Sequence, residues 1–157
     1  LVPALAALIE PLLILIEQVN VQLAVVEQEL DRQSSTEPVV QLLQTAPGVG
    51  AVVSAAFVSV VDDAHRFDSA HQVQAYLGLV PSENTSVQRR LGAITREGNR
   101  YLRALLIEAA WSIFKHKNAD DPMRAWALSL AARRGKRVAV VGLARRLVGV
   151  MWALWRD

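Results

Sequence analysis

Hydroxyls set among arginines are the residues here best suited to chemistry. Ser82, Thr85 and Ser86 precede Arg89, Arg90, Arg96, Arg100 and Arg103, with Thr95 and Asn99 between the arginines. A serine hydroxyl in such a setting can attack a DNA phosphodiester. Neighbouring cations would balance the charge on the phosphoryl group in flight. The plain structural alternative is an arginine-rich loop that only holds phosphate, with Ser86 an ordinary turn residue. Taken on residue chemistry alone, the alternative is the stronger reading.

A second candidate lies upstream. Leu43, then Ala46-Pro47-Gly48-Val49-Gly50, then Ser54-Ala55 has the form of a helix-hairpin-helix near 43–56. Gly48 and Gly50 permit positive φ and a tight turn. The following helix then begins with unpaired N–H groups and a positive dipole end, which suits a phosphate read without regard to sequence. Ala51, Ser54 and Ala55 are small enough for two helices to approach closely. The alternative is a tight turn that touches nothing. A third cluster, Arg133-Arg134-Gly135-Lys136-Arg137, reads as a basic turn contacting DNA or RNA phosphates, with Arg145 and Arg146 extending it. A solvated helix end is its alternative.

Other chemistries find little support. The sequence has no Cys, so it holds no disulfide, thiolate metal site or cysteine nucleophile. His65, His71 and His116 show no metal-ligand spacing. Asp62, Asp63 and Asp68 read as caps or solvated loop residues. Glu83 and Glu97 read as ion-pair partners of the arginines. No metal site is expected in this chain. Trp111, Trp126, Trp152 and Trp155 sit in helical patterns and read as core residues, Trp155 being the one to test for base stacking.

The elements that must position these residues are mostly helical. Leu5, Leu8, Leu12, Leu15, Val19, Leu23, Val26 and Leu30 step by three or four, as a coiled-coil seam requires. Ile9, Leu13, Ile14 and Ile16 flank that seam, so residues 1–36 read as a pairing helix that Pro11 kinks or begins. Residues 37–157 then read as a helical domain. Thr36 is placed as the cap of its first helix, which runs to about Thr45. Asp68 or Ser69 caps a short helix closed by Gly78. Residues 80–94 lack helical period and read as an irregular basic loop or a short hairpin. Thr95 is placed as the cap of a helix from about Gly98 to Lys115. Asp120 or Asp121 with Pro122 opens another, ended by Gly135, and residues 138–155 form the last.

Composition agrees with a folded, polyanion-binding chain. Its 157 residues are 52% hydrophobic and 20% charged. The net charge of +2 hides an asymmetry. Up to Gly50 the only base is Arg32, whereas from Ser86 onward 15 Lys and Arg face five Asp and Glu. No apolar run reaches ~18 residues without a charge or proline, so no membrane span is expected. Absence of Cys and of a basic, signal-like start fits the cytoplasm. A first residue of Leu points to a portion of something longer.

In combination these blocks are specific. The Pro47–Gly50 turn, residues 75–86 with Gly78-Leu79-Val80-Pro81, residues 89–111 with Gly92-Ala93-Ile94-Thr95-Arg96-Glu97-Gly98-Asn99, and residues 133–154 follow in order. The series resembles the C-terminal transposase domain of the Piv/MooV-type recombinases, the bridge-RNA-guided insertion-sequence transposases. The resemblance covers about residues 40–157, and the first helix looks like that family's protomer-joining coiled coil. It implies a serine nucleophile that falls on Ser86, with Thr85 and Ser82 as alternatives, since this chain has Thr85-Ser86-Val87 where the family usually has Ser-Gly. It implies a composite site with a RuvC-like domain whose four acidic residues bind Mg²⁺. Nothing in these 157 residues looks like that domain, so the chain alone is expected to bind DNA, and guide RNA, and to pair, but not to cut. The competing functions are a stand-alone, non-catalytic nucleic-acid-binding and dimerisation module, and a helical interaction protein with no salt-dependent DNA binding.

Overall fold

The computed structural model describes residues 3–84, 90–116 and 121–157. Among them are seven α-helices, one 3₁₀ turn and a two-stranded hairpin, so the protein is mainly α as its periodicity predicts. The chain divides into two units, residues 1–37 and 38–157.

The first unit is one helix, α1 (Pro3–Ser34). A lone helix has no partner within its unit against which to bury a seam. Leu8, Leu12, Leu15, Val19, Leu23 and Val26 are accordingly exposed. Pro11 lies inside the helix and not at its start. At the far end Arg32 pairs with Glu29 at 2.7 Å, which together with Gln33 draws the exposed Glu29 carboxyl below its ordinary range. The Thr36 hydroxyl donates to the Gln33 carbonyl at 2.7 Å. It therefore serves the end of α1, whereas the sequence reading gave it to the start of the next helix.

The second unit runs α2 (Pro38–Leu43), α3 (Ala51–Val61), a 3₁₀ turn (Ala64–Arg66), α4 (Ala70–Tyr76), β1 (Pro81–Asn84), β2 (Arg90–Ile94), α5 (Arg100–Lys115), α6 (Pro122–Arg134) and α7 (Lys136–Arg156). Helix α7 is its centre, packed on α2, α4, α5 and α6. The reason is written in one stripe: Val140, Leu143, Ala144, Leu147, Val148 and Met151 recur at helical spacing and are all buried. Leu102, Leu106, Ala109, Ala110 and Ile113 of α5 meet them with Phe57, Val61, Val73, Leu77 and Leu79. Burying each of the larger side chains stabilises the unit by about 1.5–3 kcal/mol. By length and composition alone, α1 and α7 could each cross a membrane. In α7 the buried stripe and three groove arginines described below suit a core helix instead, and in α1 Glu10 and Glu17 interrupt the apolar run.

Local signals explain most boundaries. Asp63 caps the 3₁₀ turn; the backbone N–H of His65, and then its ring, hold the Asp63 carboxyl below its usual range. Ser69 accepts from the Gln72 N–H to start α4. Asp121 accepts from the N–H groups of Met123 and Arg124 to start α6, with Pro122 at its first position. The α5 cap is Asn99, whose side-chain oxygen accepts from the Leu102 N–H at 2.9 Å. The expected Thr95 cap is thus corrected: Thr95 is still in the exit from β2, its N–H bonded to the Val80 carbonyl.

Of the two readings offered here, β1 and β2 pair as the hairpin. The strands are antiparallel, with Pro81 opposite Ile94 and Asn84 opposite Arg90, and an irregular register between Pro81 and Glu83. The hairpin is anchored at its base, where residues 76–78 cross residues 96–98. The Arg96 N–H donates to the Gly78 carbonyl at 3.1 Å. A side chain on Gly98 would collide with the Tyr76 carbonyl, and one on Gly78 with the Glu97 backbone. Both glycines have positive φ, so only glycine suits either strand of the crossing.

Candidate nucleic-acid interface

Seven arginines from four segments surround one groove in the second unit. Arg96 comes from the hairpin base, Arg100 and Arg103 from α5, Arg134 from α6, and Arg137, Arg145 and Arg146 from α7. The groove encloses about 990 Å³, and none of its lining residues is acidic. Among the described residues, none of these arginines is ion-paired. The rest of the lining is largely apolar and includes Ile94, Ile107, Val138 and Val141, with Trp126 among them.

The arginines are held differently. Arg96, Arg100, Arg134, Arg137 and Arg146 are exposed. Arg103 is buried, and its Nη1 donates to the carbonyls of Leu77 at 3.0 Å and Glu97 at 2.8 Å. That one guanidinium clamps both sides of the hairpin base. Among the described residues its charge has no carboxylate partner, and an unpaired buried cation is costly unless an anion comes to it. Arg145 Nη2 donates to Gln74 Oε1 at 3.4 Å, and Gln74 Nε2 donates back to the Arg145 carbonyl at 2.9 Å. The Arg146 guanidinium lies 5.2 Å from the Trp126 ring centre, within cation–π range. Summed, the groove is a cationic trough with a largely apolar remainder to its lining, the electrostatic form of a polyanion site.

The other sequence candidates fall outside this groove or outside the described residues. Ser86, Thr85 and Arg89 belong to the latter. Arg90 lies on β2. Ser82 Oγ donates to the Ala93 carbonyl at 3.1 Å across the hairpin. Thr95 Oγ1 is buried with no hydrogen-bond partner. Asn99 acts as the α5 cap, and Arg133 and Lys136 are exposed beside the groove without lining it. In the turn between α2 and α3, Gly48 takes φ +71° and packs on Ala109 and Ile113. Gly50 does not use the positive φ that glycine permits; it sits at −101°, ahead of α3, with open space where a side chain would be. Ser54 Oγ donates back to the Gly50 carbonyl at 2.9 Å.

Sequence reasoning missed Gln74 and the apolar lining. It put Trp126 in the core, where the ring is half-buried yet also edges the groove. Trp155 packs against Phe57, with ring centres 6.2 Å apart, and so belongs to the core. The one available signal for that lining was Val138, a large apolar residue directly after the basic turn and half exposed. Among the described residues, no three His, Asp or Glu side chains converge on a point that could hold a metal ion.

Comparison with known proteins decides the family. The family described as transposase IS116/IS110/IS902 matches residues 40–125. The chain belongs to this family. Its relatives include the transposase for insertion sequence element IS1111A of Coxiella burnetii, 35% identical over 82% of this chain and 36% of that protein. A probable family 20 transposase of Pseudomonas aeruginosa is 31% identical over 88% of the chain and 42% of its own length. A putative transposase of Sinorhizobium fredii, y4qE, is 35% identical over 78% of the chain and 38% of its own length. This IS116/IS110/IS902 chain thus spans well under half of each relative. The matched region includes the hairpin, its glycine crossing and α5, and so contributes Arg96, Arg100 and Arg103 to the groove.

Proposed function

We propose that this chain is the DNA-binding, serine-bearing C-terminal portion of an insertion-sequence transposase of the Piv/MooV type. The observation that carries the reading is the acid-free groove of seven arginines in a transposase family chain. A DNA or guide-RNA backbone would exchange its counterions for those guanidiniums, so binding would weaken steeply with salt. The helix-hairpin-helix reading adds a second phosphate contact at the start of α3, whose first N–H groups have no side-chain cap.

Ser86 follows β1, and the groove arginines Arg96, Arg100 and Arg103 follow β2. In the proposed step the Ser86 Oγ attacks a DNA phosphorus. A Ser–phosphate bond forms, the bond to the leaving deoxyribose oxygen breaks, and the serine proton is lost to solvent or a base. The resemblance puts Mg²⁺ in a RuvC-like domain that these residues do not form, and no step here runs through a metal. Exposed α1 supports pairing between protomers through its seam. The working environment would be the cytoplasm, without a membrane.

Combined with a RuvC-like domain, Ser86→Ala should abolish covalent attachment to DNA and leave DNA binding intact. Denaturing gels of protein–DNA adducts read the first and gel shifts the second. Undiminished adduct in the variant would remove Ser86 from the mechanism.

A further inference from the structure

We infer that the arginine groove takes an unpaired nucleic-acid strand, with phosphates on its arginines and bases on its apolar lining. The inference rests on the nucleic-acid reading above and narrows it to a substrate class. Phosphate contact alone accounts for the arginines but not for the apolar residues that line the groove with them. Ile94, Ile107, Val138 and Val141 would face a bare sugar-phosphate backbone at a desolvation cost with no return. A duplex turns its phosphates outward and keeps its base faces stacked inside, so it cannot offer those faces to a concave groove. An extended strand offers both surfaces at once, as sequence-tolerant single-strand sites require.

Two further features fit this occupant. About 990 Å³ is the size of a large small-molecule site, room for a few nucleotides and not for a helical turn of duplex. Within the lining, Arg146 lies over Trp126, and a Cβ on Gly142 of α7 would come within 3.2 Å of that ring. Glycine at this position lets the indole lie close against α7. The Arg146–Trp126 pair thus sets a cation beside an aromatic ring at the groove, two groups of the kind that stack bases.

The test is binding by this chain, followed by fluorescence anisotropy at several salt concentrations. Three probes of about 12 nucleotides suit a site of this class: an oligothymidylate strand, an abasic strand with the same number of phosphates, and a duplex hairpin of the same phosphate count. The thymidylate strand should bind about tenfold tighter than the abasic strand, and tighter than the duplex. Trp126→Leu should weaken thymidylate binding by about tenfold and leave the salt slope unchanged, because it removes a stacking surface and no charge. Val138→Ser, at an exposed position where folding is not at risk, should weaken it a few-fold in the same way. Equal affinity for the abasic and thymidylate strands would overturn the inference, as would a preference for duplex that Val138→Ser leaves untouched. Both results would keep the groove as a phosphate site. Absence of salt-dependent binding to all three probes would overturn the nucleic-acid reading itself.

Discussion

Gly48 and Gly50 lie in one turn, yet they carry different constraints. A Cβ on Gly48 would lie 2.7 Å from Ile113 Cγ1 and 3.0 Å from the Ala109 carbonyl oxygen, at a φ of +71°. Overpacking and a left-handed backbone both oppose a side chain there, so Gly48→Ala should cost about 2–4 kcal/mol. Gly50 has an ordinary φ and open space, so Gly50→Ala should cost about 1 kcal/mol or less. Urea denaturation of the two variants checks the contrast, and equal losses would contradict it. The sequence shows both glycines in one motif. It does not show which is pressed against α5, because that contact spans more than fifty residues of chain.

At the scale of elements, the hairpin depends on its base. Arg103 joins the Leu77 and Glu97 carbonyls, and Gly78 and Gly98 let the two backbones cross. Arg103→Ala would leave both carbonyls short of a donor, a loss of about 2–4 kcal/mol. The amides of Thr95 and Arg96, which bond to Val80 and Gly78, should then exchange faster with solvent. Arg103→Lys should recover only part of the loss, since an ammonium lacks the planar fork. Hydrogen exchange and denaturant midpoints read these effects, and unchanged protection at Thr95 and Arg96 would refute the clamp. Helices were legible where a stripe, a cap and a breaker agreed, as for α6 with Asp121, Pro122 and Gly135. The start of α5 was misread because Thr95 and Asn99 are both good caps. Only the hairpin exit, which ties the Thr95 N–H to Val80, decides between them.

For the whole molecule, α1 supplies the clearest prediction of assembly. Its seam residues Leu8, Leu12, Leu15 and Val19 are each more than half exposed, a surface that pairing of copies would cover. Leu12→Lys with Leu15→Lys should convert a self-associated chain to a monomer in sedimentation experiments. An unchanged sedimentation coefficient would count against pairing through α1. The groove was legible only in part. Charge asymmetry and the arginine runs pointed to a polyanion, and all seven groove arginines stood in the sequence clusters read as phosphate contacts. Their convergence, and the apolar lining among them, arise from α5, α6 and α7 packing together, which no local pattern encodes.

The central claim is that this groove is the nucleic-acid interface. The most direct measurement is the slope of log affinity against log salt for a single-stranded probe, in the unaltered chain and in Arg96→Ala/Arg100→Ala/Arg137→Ala. All three side chains are exposed, so the fold should persist. If each meets a phosphate, the slope should fall in magnitude by about 2, from roughly 0.7 per contact. An unchanged slope, with unchanged affinity, would place the nucleic acid elsewhere on the protein.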